Sequence, residues 1–279
     1  MIRAGRLALP RLALPLLALP LLTLTAAAPT RPLRIASINP CIDAVLRRVA
    51  DPANVVAISH YSQDPRATSV PLDWARRFRA TSGTAEEIVA LRPDVVLSGA
   101  HVLPATVAAL DRVGVKLVQY PVPDSVAESV EQVRDIARRV GHPERGAALA
   151  RAIEAAAAPA PGPALPALIW QSGGLTPGKG TLPDELLARA GFRNASAEHG
   201  LKKWDVLGLE PLVARPPRIL FSPAAAEAGD DRLLRHPAIR RLGARIRIEP
   251  YPERLMSCGG PTIIAAMARL KAARGRLAR

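Results

Sequence analysis

The sequence predicts an α/β protein made of two Rossmann-like parallel-sheet lobes with a cleft between them, and three observations carry that prediction. Short β-rich runs alternate with helical patterns over short connections, the arrangement that a parallel sheet covered on both faces requires. One helix-to-strand unit occurs twice: AEEIVALRPDVVLS at 85–98 is echoed by LEPLVARPPRILFS at 209–222, at a constant offset of 124 residues. Glu86/Glu210, Val89/Val213, Ala90/Ala214, Pro93/Pro217 and Ser98/Ser222 are identical, and most other positions pair apolar with apolar. Between the copies lies a helical stretch without strands, closed by Pro159, Pro161, Pro163 and Pro166.

At the N-terminus, Arg3 and Arg6 precede the apolar run LALPRLALPLLALPLLTL, which ends in Thr25, Ala26, Ala27 and Ala28. This reads as a secretory signal peptide over residues 1–28. Arg11, Pro10, Pro15 and Pro20 argue against a permanent membrane span, because each is costly inside an apolar helix. The first cysteine, Cys41, lies well past the cleavage region, so a lipidated N-terminal cysteine is not available. The expected product is a soluble periplasmic protein.

The N-terminal lobe is assigned to 29–124, with strands at 33–38, 55–59, 94–99 and 116–121. Its helices are expected at 40–50, 84–91 and 104–113, the last stopped by Gly114. A connector follows at 125–160. Ser125 and Glu128 have capping-box spacing, Val126, Val130, Val133, Ile136 and Val140 trace one apolar face, and Gly141 closes the helix. Pro143 suits the first turn of a second helix reaching 158, roughly 24 Å long. The C-terminal lobe, 161–279, resumes the alternation with a strand at 167–172, a helix at 182–190 stopped by Gly191, and the echoed unit. A helix near 232–242, a strand at 245–249 and a helix from 261 complete it.

The composition excludes some functions. The 38 basic residues include only five lysines, and aromatics make up 3% of the chain. The arginines are scattered over amphipathic helices and not interleaved with aromatics, which argues against nucleic-acid binding. Removal of 1–28 takes away three arginines and no acid, leaving about +11 of the formal +14. No segment beyond the leader is apolar for long enough to cross a bilayer.

Several residues are candidates for chemistry. Thr84 can cap its helix with Glu87 reaching back, which leaves Glu86 on the first turn without a structural duty. Glu210 falls at the matching position behind Gly208. Acids favour helix N-termini in any case, but two equivalent carboxylates on two lobes would make a docking surface for arginines of a partner. The run from Gly173 to Thr181 resembles a phosphate-binding loop and misses it: Gly180 stands where Ser or Thr should follow the lysine, and Pro177 removes a backbone donor. A tight glycine turn that lines a cleft and feeds a helix is the simpler reading. His60, His101, His142, His199 and His236 show no metal-site spacing. Cys41 and Cys258 could staple the two lobes, although two free small apolar side chains is the simpler expectation. Tyr61, in the polar stretch SHYSQDP, and Trp204, in the loop HGLKKWD, have contexts suited to stacking on a ligand; Tyr251 and His101 complete the candidate set.

The stretches SINPCIDAVLRRVADPANVVAISHYSQDP, GTAEEIVALRPDVVLSG, GGLTPGKGTLPDELLARAGFRNAS and KKWDVLGLEPLVARPPRILFS together resemble the cobalamin and ferric-siderophore family of ABC-transporter periplasmic binding proteins. The resemblance spans nearly the whole mature chain. It implies two lobes joined by a rigid helix, limited hinge motion, a monomer, and delivery of a large chelate to an inner-membrane permease. It also implies that Glu86 and Glu210 dock into permease arginines, and that Tyr61 and Trp204 match pocket aromatics of the cobalamin binder. Ala80 and Gly99 stand where that binder has tryptophans, and its paired C-lobe cysteines are absent. The function expected is therefore non-enzymatic capture of a corrinoid, with a ferric siderophore or haem as the alternative ligand. A zinc-binding homologue and a phosphate-handling hydrolase follow.

Overall fold

Near-continuous aliphatic runs form strands that are buried on both faces, and helices with one apolar stripe cover them. The computed structural model describes residues 31–223 and 236–277; the expected signal peptide and the start of the helix expected near 232 lie outside the described residues. In the N-terminal half, the elements are β1 (Ile35–Ser37), α1 (Pro40–Val49), β2 (Val55–Ser59), α2 (Leu72–Ala75), β3 (Ala80–Thr81), α3 (Ala85–Leu91), β4 (Val95–Gly99), α4 (Pro104–Arg112) and β5 (Leu117–Tyr120). Their sheet has the order β3-β2-β1-β4-β5 and every pairing is parallel.

Two long helices follow, α5 (Val126–Arg139) and α6 (Pro143–Ala156), packed against each other. All five apolar positions expected on the first connector helix are buried. The C-terminal half contains β6 (Leu165–Ile169), β7 (Leu175–Pro177), α7 (Leu182–Arg189), β8 (Phe192–Asn194), β9 (Trp204–Val206), α8 (Leu209–Ala214), β10 (Ile219–Ser222), α9 (Pro237–Leu242), β11 (Arg247–Pro250), α10 (Arg254–Ser257) and α11 (Thr262–Leu277). Its main sheet, β11-β10-β6-β8, is again parallel throughout.

The repeat is real at the level of topology. The order β2-β1-β4-β5 corresponds strand for strand to β8-β6-β10-β11, so the echoed strands β4 and β10 each lie between the first and last strands of their sheets. In both copies the helix ends just before the Pro93 or Pro217 region, because a residue preceding proline is driven out of the right-handed helical conformation. Arg92 caps the C-terminus of α3 in the left-handed conformation, at φ +46°, the one positive-φ non-glycine among the described residues.

Thr84 Oγ1 caps α3 by accepting from Glu87 N at 3.3 Å. Glu87 does not close the box on Thr84; its carboxylate accepts from Thr81 Oγ1 and Ser82 N, both at 2.7 Å, and these bonds hold it below the usual carboxylate range. Glu128 behaves in the same way, accepting from Asp124 N at 2.8 Å while Ser125 caps α5.

One hydrophobic core runs through both halves, from Ile35 and Leu97 through Val133 and Ile153 to Ile169, Phe221 and Leu270. Smaller clusters around Ile88 and Val96, and around Trp170 and Leu220, cover the other sheet faces. The expectation of two free thiols is corrected: Cys41, in the first turn of α1, is bonded to Cys258, just before α11. Their Cα atoms are 5.2 Å apart although 217 residues separate them in sequence, so nothing local announces the pairing.

Candidate ligand-binding cleft

The carboxyl ends of β1, β4 and β5 open into a cavity of about 360 Å³, the end of a parallel sheet at which ligands bind. Asn39, Gly99 and Tyr120 lie at these strand ends. Ser129, Gln132, Val133 and Ile136 of α5 form one wall, and Ser257, Gly259 and Gly260 close the cavity from the C-terminal half. Cys41 also lines it, so the disulfide sits at the edge of the cleft. Among the described lining residues there is no Asp, Glu, Lys or Arg. Such a surface holds an apolar body by burial and orients it with a few polar groups.

Local geometry explains several of these choices. Asn39 Oδ1 caps α1 by accepting from Cys41 N at 2.9 Å and Ile42 N at 3.3 Å. Its amide nitrogen would stand 2.6 Å from a Cβ at residue 99, so a side chain there would displace the Asn39 cap. Tyr120 turns its ring to the cavity and donates its hydroxyl to Asp135 Oδ2 at 2.8 Å; burial, followed by that carboxylate, raises its pKa.

Tyr61 and His101 both line the cavity. Tyr61 is carried on a short 3-10 turn after β2, is 51% exposed and packs on the His60 ring at 4.0 Å between centroids. The turn is anchored from below by Asp43 of α1, which is wholly buried and accepts from Ser59 N at 3.0 Å and Ser62 Oγ at 2.6 Å. Burial pushes the Asp43 carboxyl up to about 7, outweighing the nearby Ser37 hydroxyl and the bonds from Ser62 and Ser59.

Trp204 is 38% exposed and does not line the main cavity. It lies in a small adjoining recess that shares Val122, Pro123, Ser257 and Gly259 with it. Its segment is not a loop: Trp204–Val206 pairs antiparallel with Leu175–Pro177. That pairing also accounts for the glycine-rich run. Gly178 N donates to Lys203 O at 2.8 Å, and a Cβ there would meet Lys202 O at 1.8 Å, so the glycine serves close backbone packing. Thr181 then caps α7.

Tyr251 is a correction. It is 0% exposed, packs edge-on against Phe221 and donates its hydroxyl to Leu255 O at 3.3 Å. The scarcity of aromatics made it look functional, whereas it fills the core at the end of β11. Glu86 and Glu210 are exposed on the first turns of α3 and α8. Among the described residues, no three His, Cys, Asp or Glu side chains gather as a metal site, and no helix is long and apolar enough to cross a membrane.

The cleft composition was only partly foreseen. Asn39, Tyr120, Ser129, Gln132 and Gly259 come from four separate segments, and the one available signal was the position of Asn39 and Tyr120 at the ends of expected strands.

Comparison with known proteins decides the family. The periplasmic binding protein family profile matches residues 35–245. The chain belongs to this family. No curated protein sequence matches it. Among solved structures, this binding protein is similar to the periplasmic heme-binding protein of Roseiflexus sp. RS-1 in apo form, with 23% identity, TM-score 0.70, and 87% of this chain and 99% of that chain covered. It is similar to a periplasmic heme-binding protein of Vibrio cholerae at 16% identity and TM-score 0.71, covering 88% and 99% of the two chains. A heme-binding protein of Pseudomonas aeruginosa aligns at 22% identity and TM-score 0.64, covering 87% and 92%. These likenesses show the two-lobe fold.

Proposed function

We propose that this periplasmic binding protein captures haem in its cleft and hands it to an inner-membrane ABC permease. The observation that carries the ligand is the cavity itself: an uncharged, largely apolar slot with an exposed phenol at Tyr61 and an imidazole at His101. Those are two side chains that ligate haem iron. The heme-binding proteins that share the fold point the same way. The cavity, about 360 Å³, is within the size range of ligand pockets and opens to solvent, so a macrocycle larger than it can enter in part.

Binding follows from simple physics. The macrocycle gains by leaving water for the walls formed by Ile42, Val45, Val133 and Ile136, and Tyr61 supplies direction through its oxygen. No Lys or Arg lines the slot among the described residues, which favours a pose with the carboxylate edge of haem at the mouth. A corrinoid remains the second reading because Trp204, half-exposed in the adjoining recess, could stack on a larger ligand. Glu86 and Glu210 are assigned to the permease: both are exposed, and they occupy matching positions on the two halves.

Titration with haemin tests the reading. The expected result is a shifted Soret band that saturates at one haem per chain and an iron–phenolate band that disappears in Tyr61→Phe. Calorimetry that shows cyanocobalamin binding, with no spectral change on haemin addition, would replace haem by a corrinoid.

A further inference from the structure

The turn that presents Tyr61 is fastened by a group to which ligand capture alone gives no task. Asp43 is 0% exposed, and its Oδ2 takes Ser59 N at 3.0 Å and Ser62 Oγ at 2.6 Å, on either side of Tyr61 in the chain. Its other oxygen, Oδ1, is buried with no hydrogen-bond partner among the described residues, and the neighbouring Ser37 hydroxyl donates to Asn39 O at 3.2 Å. A carboxyl in that setting is costly, and a packed apolar side chain would serve stability at least as well. The remaining side-chain anchors of the turn bind its ends: His60 Nδ1 with Thr81 O at 3.2 Å, and Gln63 Nε2 donating to Ala75 O and Phe78 O at 3.1 and 2.9 Å. Tyr61 itself packs on the His60 ring and accepts the backbone bond from Asp64 N at its carbonyl.

We propose that Asp43 is the positioning residue for Tyr61: by gripping Ser59 and Ser62 from α1, it sets where the phenol stands in the cleft and so tunes ligation without touching the ligand. The proposal rests on the reading that Tyr61 faces the ligand. The same α1 begins at Asn39 and Cys41, so the helix that forms one edge of the cleft and bears the interlobe disulfide also carries the grip on the ligating turn.

The test uses Ser62→Ala, Asp43→Ala and Asp43→Asn in the full mature chain, with Tyr61→Phe as the control. Asparagine keeps an acceptor for both donors, so Asp43→Asn is expected to stay close to wild type. In Asp43→Ala the Ser59 amide is expected to exchange with solvent about tenfold faster in the ligand-free protein. Haemin affinity in Asp43→Ala and Ser62→Ala should fall about tenfold with a displaced iron–phenolate band, while Ser62→Ala melts within about 3 °C of wild type. Wild-type exchange and an unmoved band in these variants would overturn the positioning role. If Asp43→Ala does not fold, Ser62→Ala decides through the same band. If wild type shows no phenolate band, or Tyr61→Phe retains it, the haem reading fails instead, and exchange across residues 59–63 in Ser62→Ala decides the grip alone.

Discussion

Asp43 keeps a carboxyl that no water reaches, and its titration should be visible in the stability of the whole chain. The group titrates at 3.8 in a solvated chain and is pushed up to about 7 by burial in the fold. Between those values the native state retains a proton that the unfolded state has released, so the Asp43 contribution to stability is present at low pH and is lost as pH rises towards 7. Asp43→Asn cannot ionise. Its stability relative to wild type is therefore expected to improve by about 2 kcal/mol between pH 5 and pH 8, measured by urea unfolding at each pH. A difference that stays constant over that range would mean that Asp43 ionises as easily as an exposed acid. Tyr251 teaches the complementary lesson at this scale. Rarity in the sequence singled it out together with Tyr61, and only the packing against Phe221 separates a core tyrosine from one that faces the cleft.

Among the elements, the tie between α1 and the segment before α11 has the largest expected effect. A bond closing 217 residues restricts the unfolded chain by about 5 kcal/mol in the chain-entropy picture. Calorimetry of Cys41→Ser with Cys258→Ser should show a melting temperature lower by roughly 10–20 °C; a shift of only a degree or two would mean that the tie stabilises little. This bond was open in the sequence because cysteine spacing says nothing of a contact between two halves. The strand and helix alternation was legible, since β1, β2, β4, β5, β6 and β10 are rich in apolar residues, β11 lies in the alternating run RIRIE, and Thr84, Ser125 and Gly191 mark helix ends. β3 and β8 were missed: two- and three-residue strands carry no periodicity. The β7–β9 ribbon was missed because its pairing partner is some thirty residues away and its glycines imitate a phosphate loop. In the cleft, Tyr61 stood out by context and His101 only as one of five dispersed histidines, while the walls contributed by α5 and by 257–260 depend on long-range packing that no local pattern encodes.

At the scale of the molecule, two sheets of matching strand order place Glu86 and Glu210 at corresponding positions, and a permease with paired arginines would read both at once. Glu86→Ala combined with Glu210→Ala is expected to abolish uptake in a reconstituted transport assay while ligand affinity stays within about threefold, because neither side chain lines the cavity. Normal uptake by the double variant would assign docking to other surfaces. The central proposal, that a flat iron chelate sits at Tyr61, is supported by the family fold and by a cleft at the strand ends without Asp, Glu, Lys or Arg among its described lining residues. The crystal structure of the protein grown with haemin tests it most directly: the macrocycle is expected between Tyr61 and the α5 wall with iron on the phenolic oxygen, whereas haem bound elsewhere, or an iron that Tyr61 does not reach, would contradict it.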